Sequence, residues 1–184
     1  MLTEITAASH GVELDIVYAT HRNFTGRPVY ARPACFLNPE AAEKLLRASD
    51  LARAVGLRLR ILDAFRPAEA QWTLWNHTPD ATFLADPRRG SPHSMGAAVD
   101  LTLVDAASGR ELDMGTAFDA MTPLSFHGST EVSEAAQKNR FTLLGLMSAA
   151  GFDFYSAEWW HYQLFNARAR YPVLSDAAAG TAMM

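Results

Sequence analysis

Two short stretches carry ionisable side chains where such side chains are uncommon. The stretch "SPHSMGAAVD" holds His93 and Asp100, and the aromatic stretch "EWWHY" holds Glu158 and His161. Two histidines and one carboxylate form a recurring ligand set for catalytic zinc, in which the fourth position is left for water. The acid that does not bind the metal is then free to act as a general base. These four residues predict a catalytic metal centre with an adjacent base.

Asp100 lies in the middle of the alternating segment "GAAVDLTLV", which is typical of a strand. Asp is depleted in strands, and a buried carboxylate needs a partner. A solvent-facing Asp is the common alternative, but the residues that share its face, Ala98 and Thr102, are small and uncharged. Gly96 allows a turn that brings His93 back over the start of the strand. This arrangement favours Asp100 as a functional residue.

The spacing within "EWWHY" separates the roles of its acid and its histidine. Residues three apart on a regular strand point to opposite faces, so Glu158 and His161 cannot both reach one metal along such a strand. Either a bulge intervenes, or the strand begins after Glu158 and the acid enters from the preceding turn. His161 is then a ligand and Glu158 the base. Strand alternation also places Trp159 on the His161 side, as a wall of the site, and Trp160 in the core.

Two further charged residues lie in segments that connect predicted elements. Arg66 in "DAFRPAEAQ" follows a predicted strand, and Asp63 lies close enough to orient it. An arginine here is either a surface residue that ends the strand or, in a hydrolase, a group that holds an oxyanion or a carboxylate. Asp119 in "DMGTAFD" is either a solvated loop residue or a partner for a substrate ammonium group.

The elements that must position these residues follow from hydrophobic patterning and caps. "NPEAAEKLLRASDLARAVG" predicts a helix capped by Asn38 and ended by Gly56, and "SEAAQKNRFTLLGLMSAAG" one that Ser133 caps and Gly151 ends. "PAEAQWTLWNH" predicts another helix, while "LRLRIL", "GAAVDLTLV" and "EWWHYQLF" predict strands. After an irregular N-terminal segment, we therefore expect an α+β fold: a small, mostly antiparallel sheet with helices packed on one side and the metal site at the sheet.

Size and composition are those of an ordinary globular protein. A chain of 184 residues is expected to form one domain, 1–184, with a frayed tail from Asp176. The net charge is −4 without a basic stripe, so neither a nucleic-acid nor a membrane partner is expected. Cys35 is the only cysteine, which excludes an internal disulfide. No signal peptide pattern is present, so a cytoplasmic location is expected. Formation of a homo-oligomer is possible.

The sequence resembles a known family. "SPHSMGAAVD" followed by "EWWH" is similar to the metal signature of the D-alanyl-D-alanine dipeptidases, which are zinc enzymes. The same superfamily includes D,D-carboxypeptidases, phage endolysin peptidases and the hedgehog signalling domain. "YATHRNFTGRPVY", "DAFRPAEAQ" and "DMGTAFD" narrow the resemblance to the dipeptidases, and it extends in order over residues 18–162. The segment "TPDATFLADPRRG" is shorter than in some relatives, so the rim of the pocket is expected to differ.

The resemblance implies one Zn²⁺ per chain and hydrolysis of the free dipeptide D-Ala-D-Ala. The implied zinc ligands are His93, Asp100 and His161. Glu158 is the implied general base, and Arg66 the residue that stabilises the tetrahedral intermediate.

The resemblance also implies which residues bind the ends of the substrate. Asp119 and Tyr18 match positions linked with the ammonium end, and Ser91 a position near the carboxylate. Two alternatives remain: a D,D-carboxypeptidase acting on peptidoglycan precursors and a non-catalytic zinc-binding domain. The missing export signal counts against the first, and the presence of Glu158 and Arg66 against the second.

Overall fold

A five-stranded sheet organises the computed structural model, which describes residues 1–184. In chain order the strands are β1 Thr3–Glu4, β2 Glu13–Leu14, β3 Phe36–Leu37, β4 Leu57–Asp63, β5 Ala98–Asp105, β6 Asp153–Phe154 and β7 His161–Gln163. The large sheet has the order β2-β4-β5-β7-β6, and β1 pairs with β3 separately. Only the β2–β4 pair is parallel. The predicted mostly antiparallel α+β fold is therefore confirmed.

Two of the five helices pack against this sheet. The five helices are α1 Ala7–His10, α2 Pro39–Ala54, α3 Ala68–His77, α4 Glu134–Ala150 and α5 Ala167–Arg170. Helix α2 packs on β4, α4 packs on β5 and β6, and the two helices contact each other. The strand residues Val99, Leu101 and Leu103 belong to the core, as their alternation predicts. No helix combines the length and the apolar composition needed to cross a bilayer.

The predicted caps of the two long helices are present. The Asn38 side chain accepts a hydrogen bond from the backbone N–H of Glu40, and Ser133 accepts one from Ala136. Gly151 ends α4 in the left-handed conformation at φ +98°, which glycine adopts without steric cost. These caps fix the ends of the helices on which the sheet packs.

The register of the three central strands brings distant residues together. Asp63 at the end of β4 pairs with Asp100 in β5, across a bulge that follows Ile61. Asp100 in turn pairs with His161 at the start of β7. These three side chains therefore gather at one place on the sheet, although 98 positions separate the first from the last.

The last predicted strand is much shorter than "EWWHYQLF" suggests. Strand β7 begins at His161, and Glu158 belongs to the preceding turn. The backbone explains the difference, because the N–H of Trp159 donates to Ser125 in a loop, and the N–H of His161 donates back to Glu158. Neither bond belongs to a strand ladder. Of the two arrangements that the spacing allows, the acid that enters from a turn is the one found.

The tail from Asp176, for which fraying is expected, makes contacts with the rest of the protein. The side chain of Met183 is fully buried in the main core. The N–H of Ala31 donates to the Met183 carbonyl at 2.6 Å, and the Arg32 guanidinium donates to the Ala182 carbonyl at 2.6 Å. An apolar side chain close to the chain end supplies the burial that holds this segment in place.

Candidate metal centre

His93, Asp100 and His161 converge with their ligating atoms within 4.8 Å of one another. Nε2 of His93 lies 3.0 Å from Nδ1 of His161 and 3.2 Å from Oδ1 of Asp100. Nδ1 of His161 lies 3.1 Å from the same carboxylate oxygen. All three side chains are buried. The structure thus brings the three predicted ligands to a single point.

A glycine turn places His93 in this cluster. His93 lies in a short 3-10 turn that ends at Gly96, whose φ is +64°. A Cβ at Gly96 would lie 2.6 Å from a methyl carbon of Leu2 and 3.0 Å from the backbone nitrogen of Asn38. Both the dihedral angle and the close neighbours therefore require glycine, and the turn that the sequence predicts is present.

The outward nitrogens of both histidines fix the direction of their lone pairs. Nδ1 of His93 lies 2.7 Å from the carbonyl oxygen of Ala64, which can only accept a hydrogen bond. Nε2 of His161 lies 3.0 Å from Oε1 of Gln163. With their protons on these outward nitrogens, both rings present a lone pair toward Asp100. Such converging acceptors repel one another unless a cation lies between them, so the cluster fits a zinc ion.

The protonation states of the cluster agree with a metal site. Burial favours the neutral form of Asp100, but the facing His93 and His161 rings hold the pKa of its carboxyl well below the usual range. Burial lowers the pKa of His161. An ionised carboxylate beside a neutral imidazole is the state that binds a metal cation.

Gln163 is a member of the site that the sequence reasoning missed. Its side-chain oxygen orients His161 from the outer side, and the residue also lines the cavity described below. The sequence contains a signal for this role, since Gln163 lies two positions after His161 on one strand and therefore shares its face.

Glu158 stands beside the cluster without joining it. Its Oε2 lies 3.8 Å from Nδ1 of His161, and the side chain is buried. Burial, and then the negative charges of Asp100 and Asp119, raise the pKa of Glu158 well above that of an ordinary carboxyl group. A raised pKa makes the carboxylate a stronger base than a solvated one.

Arg66 is buried, so the surface alternative for this residue is wrong. Its Nε donates to Oδ2 of Asp63 at 2.8 Å, and its terminal nitrogens lie 3.1 Å from Oε1 of Gln71 and 3.4 Å from Oδ2 of Asp100. Asp63 also accepts a hydrogen bond of 2.8 Å from the hydroxyl of Tyr30. Asp63 therefore orients the guanidinium, as predicted, and directs it at the cluster.

Asp119 is held by protein contacts and is not a freely solvated loop residue. The hydroxyl of Tyr18 donates to its Oδ2 at 2.9 Å, and the Tyr18 ring stacks under the guanidinium of Arg66 at 4.9 Å. Asp119 has a φ of +59°, which is strained for a residue with a side chain. Burial raises the pKa of its carboxyl to about 7. Strain of this kind is often retained at ligand sites.

One cavity of about 270 Å³ connects these residues. Every site residue predicted from the sequence lines it: Tyr18, Arg66, Ser91, His93, Asp100, Asp119, Glu158 and His161. Its volume lies just below the range of about 300–1,000 Å³ that is usual for drug-sized ligands, so it suits a smaller molecule. The segment 81–86 forms its rim, which makes the compact "TPDATFLADPRRG" segment part of the wall.

Both tryptophans belong to the main core, which confirms the position expected of Trp160, but the expectation that Trp159 walls the site is wrong. Trp160 lines the cavity, whereas Trp159 does not and instead donates its indole N–H to Thr116 at 2.8 Å. The expectation assumed strand alternation, which does not apply because both residues precede β7 in a turn.

Fold and site together define an α+β enzyme whose buried His–Asp–His cluster opens into a small polar cavity. The profile of the D-ala-D-ala dipeptidase family matches residues 1–177. The chain belongs to this family and is a peptidase.

Curated relatives extend over nearly the same length. A D-alanyl-D-alanine dipeptidase of Escherichia coli (strain K12) is 40% identical over 175 residues, which covers 95% of this chain and 90% of the relative. A protein of the same name from Enterococcus faecium is 37% identical, covering 84% and 87%. One from Streptomyces coelicolor is 36% identical, covering 84% and 86%.

Proposed function

We propose that this protein is a zinc-dependent dipeptidase that hydrolyses D-Ala-D-Ala to two molecules of D-alanine. The observation that carries the proposal is the convergence of His93, Asp100 and His161 beside the buried Glu158. The small cavity around them suits a dipeptide, and the names of the curated relatives support this substrate.

His93, Asp100 and His161 would hold the zinc, with Ala64 and Gln163 fixing the two imidazole rings from outside. When bound at such a site, zinc lowers the pKa of a water molecule to about 7 and polarises a carbonyl group. The partners of the rings matter because outer hydrogen bonds set the orientation and basicity of histidine ligands.

Glu158 would carry the proton between the two halves of the reaction. Its carboxylate removes a proton from the attacking water as the water oxygen bonds to the peptide carbonyl carbon. The carbon–nitrogen bond then breaks, and Glu158 delivers the same proton to the leaving amine. The position of Glu158, 3.8 Å from His161 and outside the ligand set, suits this role.

Arg66 would stabilise the negative charge that develops on the carbonyl oxygen. Its hydrogen-bond donors are largely occupied by Asp63 and Gln71, so it acts chiefly as a fixed positive charge beside the cluster. A charge held rigidly in a buried site costs no reorganisation during the reaction.

Asp119 and Ser91 would bind the two ends of the dipeptide. The Asp119 carboxylate, held by Tyr18, suits the substrate ammonium group, and the Ser91 hydroxyl can donate to the carboxylate. A small cavity with a partner for each end favours free dipeptides over long chains.

The test of this proposal is D-alanine release from D-Ala-D-Ala by the purified zinc-loaded protein. We expect turnover that a chelator abolishes and added Zn²⁺ restores, because the catalytic base needs the metal centre beside it. L-Ala-L-Ala and a pentapeptide ending in D-Ala-D-Ala serve as comparison substrates. Activity that survives metal removal would contradict zinc dependence, and preferred cleavage of the pentapeptide would assign a carboxypeptidase instead.

Replacement of Arg66 tests the electrostatic role. We expect Arg66→Lys to lower kcat by about 10²–10³-fold, the usual cost of losing one oxyanion-stabilising group, while zinc content is unchanged. Lysine keeps the charge, but it cannot contact Asp63, Gln71 and Asp100 together. The measurements are steady-state kinetics and elemental analysis.

Lysine is preferred to alanine at this position for a structural reason. Arg66→Ala would leave Asp63 buried without its partner, at a cost to stability of about 3–5 kcal/mol. The exposed substitution Arg22→Lys is the matched control. An unchanged kcat in Arg66→Lys would remove the guanidinium of Arg66 from the mechanism.

A further inference from the structure

Positive charge at the rim of the cavity has no counter-ion in the protein. Arg89 and Arg168 both line the cavity, and neither forms an ion pair with a carboxylate. The other charged rim residue, Asp86, is paired with Arg88 at 2.7 Å. Two guanidinium groups thus stand at the entrance with their charges unneutralised, which is a setting that attracts an anion.

Arg168 is held so that most of its donors stay free. It lies in helix α5, and its Nε donates to the carbonyl oxygen of Gly90 at 3.0 Å. Guanidinium carries five N–H donors, so four remain for a ligand. Partial burial, and then the like charge of Arg89, lower the pKa of Arg168, although an arginine stays protonated at neutral pH. The side chain is therefore a positioned, charged donor group at the cavity.

The position of Arg168 along the cavity identifies the ligand group. Its partner Gly90 immediately precedes Ser91, the residue proposed to lie near the substrate carboxylate. Asp119, proposed for the ammonium group, is instead held by Tyr18, whose ring packs against Arg66. A neutral hydroxyl alone is a weak partner for a carboxylate, because charge-assisted hydrogen bonds are about twice as strong as neutral ones.

We propose that Arg168, with Arg89 adding to the local positive charge, binds the C-terminal carboxylate of the dipeptide and makes the enzyme require a free carboxyl end. This inference rests on the proposed function and deepens it, since it names the residue that distinguishes a free dipeptide from a blocked one. The same interaction disfavours peptides that continue beyond the second residue, because an amide there carries no charge.

The experiment compares D-Ala-D-Ala with D-Ala-D-alaninamide, in which a neutral amide replaces the carboxylate. For Arg168→Gln we expect KM for D-Ala-D-Ala to rise by about 10–100-fold, with kcat changed much less. The kcat/KM for the amide should be unaltered, so that the preference for a free carboxylate largely disappears. Arg168→Lys should retain part of the preference because it retains the charge.

Arg170→Gln is the matched control, since it makes the same change on the same helix at a residue that pairs with Glu40 and does not line the cavity. A KM in Arg168→Gln equal to that of the control would overturn the inference. So would an equal loss for the acid and the amide, which would indicate a structural role.

Calorimetric binding to Glu158→Gln separates this inference from the proposed function. If the wild-type protein does not hydrolyse D-Ala-D-Ala, the proposed function fails. The role of Arg168 is still tested by binding affinities. In Glu158→Gln the dipeptide should bind more tightly than its amide, and in the double variant that combines Glu158→Gln with Arg168→Gln this difference should disappear. Equal affinity for the two compounds, or no binding of either, would refute the role of Arg168.

Discussion

Replacing Glu158 with Gln is expected to lower kcat for D-Ala-D-Ala by about 10²–10⁴-fold while one zinc per chain stays bound. Glutamine has nearly the same shape but cannot accept the proton of the attacking water. The loss should fall on kcat, because the side chain acts on the reacting atoms and lies outside the converging ligand set. Stopped-flow or steady-state kinetics measure kcat, and elemental analysis measures the zinc content.

The control for this variant is Glu134→Gln, the same substitution at an exposed residue of α4 that pairs with Lys138. It should leave both kcat and zinc content unchanged. Activity in Glu158→Gln close to that of the control would refute the assignment of Glu158 as the base. Loss of zinc from Glu158→Gln would instead make Glu158 a ligand, a role that its position in the turn does not favour.

Replacing His161 with Ala is expected to remove the metal and, with it, the activity. The His161 nitrogen lies within about 3 Å of both His93 and Asp100, so its loss opens one side of the cluster. Loss of an outer-sphere partner typically weakens metal affinity about 10–100-fold, and loss of a direct ligand should exceed this. Competition with a chromophoric chelator measures the affinity, and elemental analysis measures the stoichiometry.

His21→Ala is the appropriate comparison, because His21 is exposed and lies outside the cavity. Its zinc content should equal that of the wild type. Full zinc occupancy in His161→Ala would exclude His161 from the ligand set. Circular dichroism would show whether the variant keeps its fold, since His161 also starts strand β7.

The parts of the fold that depend on local patterning could be predicted from the sequence. The caps at Asn38 and Ser133 and the alternation through β5 are encoded within a few residues of one another. The convergence of Asp100 with His161 could also be predicted, because a carboxylate in a buried strand requires a partner.

Other parts depend on contacts that no local pattern encodes. Gln71 and Tyr30 support Arg66 and Asp63 only because β4, α3 and the N-terminal segment meet in the folded protein. The exposure of Trp160, and not Trp159, to the cavity has the same origin, since a contact with Ser125 decides where the strand begins.

The burial of Met183 has a consequence for when the site can be completed. Met183 anchors Ala31, whose neighbour Tyr30 donates to Asp63, and Asp63 in turn holds Arg66. Met183 lies 152 positions after Ala31 and 22 positions after His161 in the sequence. During synthesis, this series of contacts can close only after His93, Asp100 and His161 have all been made. The support behind Arg66 therefore forms later than the chain segments that carry these three residues.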